Sequence, residues 1–299
     1  MLLLMQGSLL YANNAQDFLK AALTGDTVTI EKLISENINI DLQNPDGFTA
    51  LFVAAQNGHS ETVALLMKHN ASVNLVNIQG GTPLLLAAKN NHPSIVEMLL
   101  TNKANPDLQD KNGLSPLMLA AVQGNSKIIN LLLKHKANPD LQNENKVTAL
   151  HLASQNGYLD IVNVLLTNGA NPNLQDANGA SALFLASLSG HTDIVKALLT
   201  SGALPDTKAT NDFTALILAA QNGHNPVIEL LLAKGANINQ QNQDGVTALM
   251  WAALHGNAET VQLLLERGAD RTIITTSGKT AMDMAKDPAI IEMLNNTAK

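Results

Sequence analysis

TALHLASQNGYLDIVNVLLTNGANPN, residues 148–173, decides the fold. Two short patterns with helical spacing of apolar residues are separated by Gly157, and Gly169 stops the second. An extended segment carrying Pro172 follows, because the residue before a proline avoids the helical region. The same residue types return every 33 residues in both directions, without slippage, over most of the chain.

The hydroxyl at the start of the stretch recurs at Thr49, Thr82, Ser115, Thr148, Ser181, Thr214, Thr247 and Thr280. A Ser or Thr just before an apolar-periodic run is a helix N-cap, its oxygen taking an otherwise orphaned backbone N–H. Pro83 and Pro116 follow their caps at the first helical position, where the missing N–H costs nothing. Leu150, Ala153 and Ser154, and their counterparts in register, fall on one face of a first helix. Small residues there admit a neighbouring helix. Val162 and Leu165 mark the apolar stripe of a second helix. The equivalents of Gly169 in earlier repeats are Asn70, Lys103 and Lys136. Lysine suits a left-handed cap poorly, so those two helix ends are expected to be less regular.

A length of 299 residues would ordinarily indicate about two domains, but a strict repeat favours one array. Only 3% of residues are aromatic and 14% charged, with a net charge of −7. The densest basic run is Lys134-His135-Lys136, too little for a phosphate-backbone surface, which argues against nucleic acid as a partner. The chain has no cysteine, which excludes disulfides and thiolate metal sites. No apolar run approaches the roughly 18 residues of a membrane span. Residues 1–14 are apolar and end in small or polar residues; they read as a signal-peptide remnant or as an N-terminal tail covering the first repeat. The first reading favours an exported protein, the second a cytoplasmic one.

T-x-L-x-x-A-A, then G-H (Gly58-His59, Gly190-His191, Gly223-His224), then I-V-x-x-L-L and G-A-x-x-N at this period resemble the ankyrin repeat. The resemblance covers about Ala15 to Leu294. It implies an all-α ankyrin-repeat solenoid of stacked helix-turn-helix units with short β-hairpin loops. The expected organisation is an N-cap repeat over 15–44, seven full repeats over 45–275 and a C-cap repeat over 276–299. The family's T-P-L-H is mostly T-A-L here, and its histidine survives only at His151; Phe52, Leu85, Met118, Phe184, Ile217 and Met250 replace it. The hairpin glycine becomes Lys146 and Asp212 in two units, whose tips are expected to differ in shape. The T-A-L and N-P-N/D-L-Q wording is similar to bacterial members, which include exported and host-directed proteins.

The sequence holds no catalytic constellation. There is no H-E-x-x-H pair, phosphate loop or nucleophile elbow. His59, His92, His191 and His224 occupy one repeat position, which the resemblance makes structural. No enzyme activity, cofactor or metal is expected.

What the repeat leaves unexplained falls into two rows. Two positions after each A-A-type pair lie off the core: Gln56-Asn57, Lys89-Asn90, Val122-Gln123, Gln155-Asn156, Leu188-Ser189, Gln221-Asn222 and Leu254-His255. By resemblance they line a concave face. Amides donate and accept, so this row reads either as a grip on an extended peptide or loop, or as a solvated face. The second row is the hairpin tips: Phe48, Gly81, Leu114, Val147, Ala180, Phe213 and Val246. It reads either as an exposed apolar edge, which would mark an interaction site, or as side chains packed on adjacent hairpins. The resulting expectation is a monomeric, non-catalytic scaffold that binds a partner protein. Its anchors would be Phe48, Leu114, Phe213 and Val246, with Gln155, Asn156, Gln221 and Asn222 as polar contacts. A structural spacer, a regulatory arm of a multi-chain assembly, and an exported effector are the alternatives.

Overall fold

The computed structural model describes residues 14–295 and divides into two compact units, residues 1–144 and 145–299. The expectation for residues 1–14 lies, apart from Asn14, outside the described residues. In the first unit α1 (14–24) and α2 (Thr27–Ser35) form the leading pair. Then follow α3 (Ala50–Asn57) with α4 (Ser60–Lys68), α5 (Pro83–Lys89) with α6 (Pro93–Thr101), and α7 (Pro116–Val122) with α8 (Ser126–Lys134). The second unit holds α9 (Ala149–Gln155) with α10 (Leu159–Thr167), α11 (Ala182–Leu188) with α12 (Thr192–Thr200), and α13 (Ala215–Gln221) with α14 (Asn225–Ala233). It closes with α15 (Ala248–His255) and α16 (Ala258–Glu266), then α17 (Ala281–Met284) and α18 (Pro288–Asn295). Within each unit, first helices pack on first helices and second helices on second helices, repeat after repeat. The fold class is an all-α repeat solenoid.

The caps form as the sequence dictates. The hydroxyls of Thr49, Thr82, Ser115, Thr148, Ser181, Thr214, Thr247 and Thr280 each accept from the N–H three residues on. All but Thr280 are buried, so each hydroxyl satisfies a donor that water cannot reach. The core positions are filled accordingly: Leu51, Ala54, Ala55, Val63 and Leu66 in one repeat, Leu150, Ala153, Val162 and Leu165 in another, all essentially inaccessible. Ser154 and Ser187 stand where other repeats have alanine, and their buried hydroxyls find no partner among the described residues.

Successive repeats are also stitched by hydrogen bonds. The His59 ring reaches the carbonyl of Leu23 (2.8 Å) and that of His92 the carbonyl of Gln56 (3.1 Å). In the second unit His191 and His224 reach the carbonyls of Gln155 and Leu188 (3.2 Å each). The ring lies so close to the preceding turn that a Cβ at Gly58 or Gly190 would sit 2.7 Å from it, and both turns are left-handed. These glycines therefore meet two demands at once, a positive φ and a histidine lid. His151 is buried; its Nδ1 faces the Thr148 hydroxyl (2.8 Å) and its Nε2 the Ala180 carbonyl of the next repeat (3.1 Å).

Three expectations are corrected or refined. Lys103 and Lys136 adopt the left-handed conformation fully, with φ of 65° and 66°, because the following N–H groups still close the helix end onto its last turn. The connecting loops form hairpin turns closed by two backbone bonds, such as Asp176 N–H to Ala180 C=O and Gly179 N–H to Asp176 C=O; the only bridge among the described residues is Gln175 with Ser181, so no strand develops. The Lys146 tip keeps the usual left-handed geometry (φ 58°), whereas the Asp212 tip tightens into a short 3-10 turn, Thr210–Asp212, with Asn211 and Asp212 both left-handed.

Replacing Leu150, 2% exposed, with Ala should cost about 2–5 kcal/mol. An unchanged thermal melt would contradict its core role. Burial holds the His151 imidazole below its ordinary pKa of 6.5, against the pull of the Ala180 carbonyl. The unfolded chain protonates this residue near 6.5 while the folded chain does not. Its contribution is therefore intact above that pH and is lost as pH falls through 6.5 toward the lowered folded value. Between pH 7.5 and 5 the melting temperature of the native chain should fall more steeply than that of His151→Met.

Candidate functional site

The first helices pack through one side and leave another side open, and the loop just before each cap lies beside that opening. In the first unit Phe48 is half-buried, its ring edge-on to Phe52 at 5.4 Å. Leu114 is also half-buried. Gln56 and Asn57 are exposed at the end of α3. The backbone carbonyl of Gln56 takes the Asn90 amide (2.8 Å) as well as the His92 ring, so this edge is locked to the next repeat. Gln123 donates in the same way to the carbonyl of Lys89.

In the second unit Val147 is half-buried, and Gln155, Asn156, Leu188 and Asn222 are exposed, with Gln221 half-buried. Phe213 lies 5.6 Å from Trp251 at an interplanar angle of 49°. Trp251 in turn stacks on His255, centroids 5.3 Å apart, and the His255 ring also meets the Trp251 carbonyl (3.0 Å). An aromatic ridge thus runs from a loop tip onto the end of α15.

The amide row divides into two kinds. Asn57, Asn156 and Asn222 donate to the carbonyls of Val53, Leu152 and Leu218, one turn back in their own helices. One N–H of each amide therefore finishes a helix end, which leaves the second N–H and the oxygen for other partners. The side-chain amides of Gln56, Gln155 and Gln221 carry no bond to the protein among the described residues. The tip row divides as well. Val246 is 7% exposed and leaves the proposed apolar edge, whereas Phe48, Leu114, Val147 and Phe213 stay half-buried.

Sequence reasoning overlooked Trp251 and the row to which it belongs. Val53, Leu86, Leu119, Leu152, Leu185, Leu218 and Trp251 stand four residues after successive caps, and all but Leu218 are half-exposed. The signal was present: a position apolar in every copy, yet off the two core stripes, with the chain's single tryptophan in it. Leu23 extends the off-core row backward, 53% exposed in register with Gln56. No cluster of three or more metal-ligating side chains occurs among the described residues, and no described helix is long and apolar enough to cross a membrane.

The geometry predicts that Phe213→Ala will uncover one side of Trp251. The emission of this sole tryptophan should shift to longer wavelength, helical circular dichroism should persist, and stability should drop by about 1 kcal/mol. An unmoved spectrum would contradict the contact.

A family model described as ankyrin repeats, in three copies, matches residues 18–110, 85–176, 166–242 and 216–297. No curated protein matches the chain.

Proposed function

Since the chain belongs to the ankyrin-repeat family, whose members are generally protein–protein interaction modules, we propose that it is a monomeric, non-catalytic scaffold that holds a partner protein against its first-helix face and loop tips. The observation that carries this reading is the aromatic ridge of Phe213, Trp251 and His255, with Leu188 41% exposed on the same run of helices. Apolar and aromatic groups at such a surface are the usual anchors of an interface. They stand on helices already fixed by caps, glycine turns and inter-repeat bonds, so little ordering entropy is lost on binding. Phe48, Leu114 and Val147 would supply further apolar contact. Gln56, Gln155 and Gln221 would supply donors and acceptors, and the oxygens of Asn57, Asn156 and Asn222 acceptors. A photo-crosslinking residue at position 188 should capture a discrete partner from the source cell. Capture should fall at least about tenfold, equivalent to 1.4 kcal/mol, in Phe213→Asp, provided that this variant still melts cooperatively as a folded chain, and much less in Phe213→Leu. Capture equal to that of the native chain would sink the assignment.

A further inference from the structure

The second unit carries a pattern on its open face that the fold does not require. Seven residues after each cap stand Gln155, Leu188, Gln221 and Leu254, an amide and a leucine in strict alternation. Gln155 and Leu188 are exposed, and Gln221 and Leu254 half-exposed. The backbone carbonyls of Gln155, Leu188 and Gln221 are all taken by His191, His224 and Asn257 of the next repeat, so each position is held in place. The two glutamine side chains, by contrast, make no bond to the protein among the described residues. No Asp, Glu, Lys or Arg occurs at this position, the next one, the Trp251 position or the tip position of these four repeats. Charges of the unit lie on second helices, as at Asp160, Asp193, Lys196, Glu229 and Glu259, and in the connecting loops, as at Lys146, Asp176, Lys208, Asp212 and Asp244, but not in these four rows. A neutral strip on a chain of net charge −7 has no ionic complement to offer, and it disfavours a charged occupant, which would lose hydration without compensation.

We infer that this strip takes an uncharged, extended segment of the partner, with apolar side chains six residues apart. The inference rests on the scaffold reading above and specifies its occupant. Free glutamine amides donate and accept, which suits a chain whose own N–H and C=O groups are unpaired; a helix has already spent those groups internally. Packed helices lie about 8–10 Å apart, so one repeat spans about three residues of an extended chain at roughly 3.3 Å each. Leu188 and Leu254, two repeats apart, then meet apolar residues about six positions apart. Gln221 grips the backbone between those contacts, and Gln155 grips it one repeat before Leu188. The Phe213–Trp251 ridge borders the strip and supplies a reporter.

The test is selection of random 12-residue displayed peptides on the full chain, with counter-selection on a Gln155→Ala/Leu188→Asp/Gln221→Ala variant shown to be folded by its melt. A Gln155→Ala/Gln221→Ala variant replaces it should the triple variant not fold. Enriched peptides should lack charged residues and carry apolar pairs six apart. They should shift the emission of Trp251 and lose about tenfold or more in affinity when backbone N–H groups between the pair are methylated. Charged consensus sequences, apolar spacings of three, four and seven, equal binding to the variant, or no enrichment would each overturn the inference. Captured partner protein at position 188 with no enriched peptide would overturn the extended occupant and leave the scaffold reading standing. Failure of both experiments would remove both.

Discussion

Helices of seven to nine residues are too short to hold together on their own hydrogen bonds in water. That limit governs the molecule. Each helix here exists because its apolar sides are covered by the equivalent helices of the repeats beside it. The alanines at Ala54, Ala87, Ala153 and Ala219 keep that approach close, and the capping hydroxyls close the helix starts where no water can do so. The 33-residue period follows from the same need: a slip of one residue in any copy would turn its apolar stripe away from both neighbours.

Because burial depends on periodicity, the fold was legible from periodicity. Caps, turn glycines and both core stripes could be placed from residue types alone, since each type meets one local demand. The candidate face was legible only in part. Whether a tip side chain is exposed depends on how the neighbouring loop packs over it, which spacing does not report: Val246 is buried, while Val147, the same residue type in the same register, is half-buried. Whether an amide is free depends on a choice between its own helix and the outside. Asn57, Asn156 and Asn222 are short enough to turn back on the preceding turn, and the glutamines beside them are not so engaged. Trp251 escaped notice because its row is apolar throughout and so resembles core, although it lies at the rim.

Polar groups carry a second layer of organisation that hydrophobic pattern alone does not predict. His59, His92, His191 and His224 each tie a second helix to the end of the preceding first helix. Asp41, Asn74 and Asp107 do the equivalent between loops, each accepting the backbone N–H of a residue 31 positions later. These bonds fix where each open-face position stands relative to the next. Spacing along that face is therefore a property of the backbone, and the variable side chains are free to differ from copy to copy.

The alternation of Gln155, Leu188, Gln221 and Leu254 gives the face a period of 66 residues on a fold whose period is 33. The two periods respond differently to changes in repeat number. Loss or gain of a single repeat by unequal recombination leaves every helix with a proper neighbour, so the protein still folds, but glutamine and leucine exchange places beyond the junction. Loss or gain of two restores both. Copy number in this part of the chain thus acts as a parity device, with folding indifferent to odd changes and surface chemistry sensitive to them.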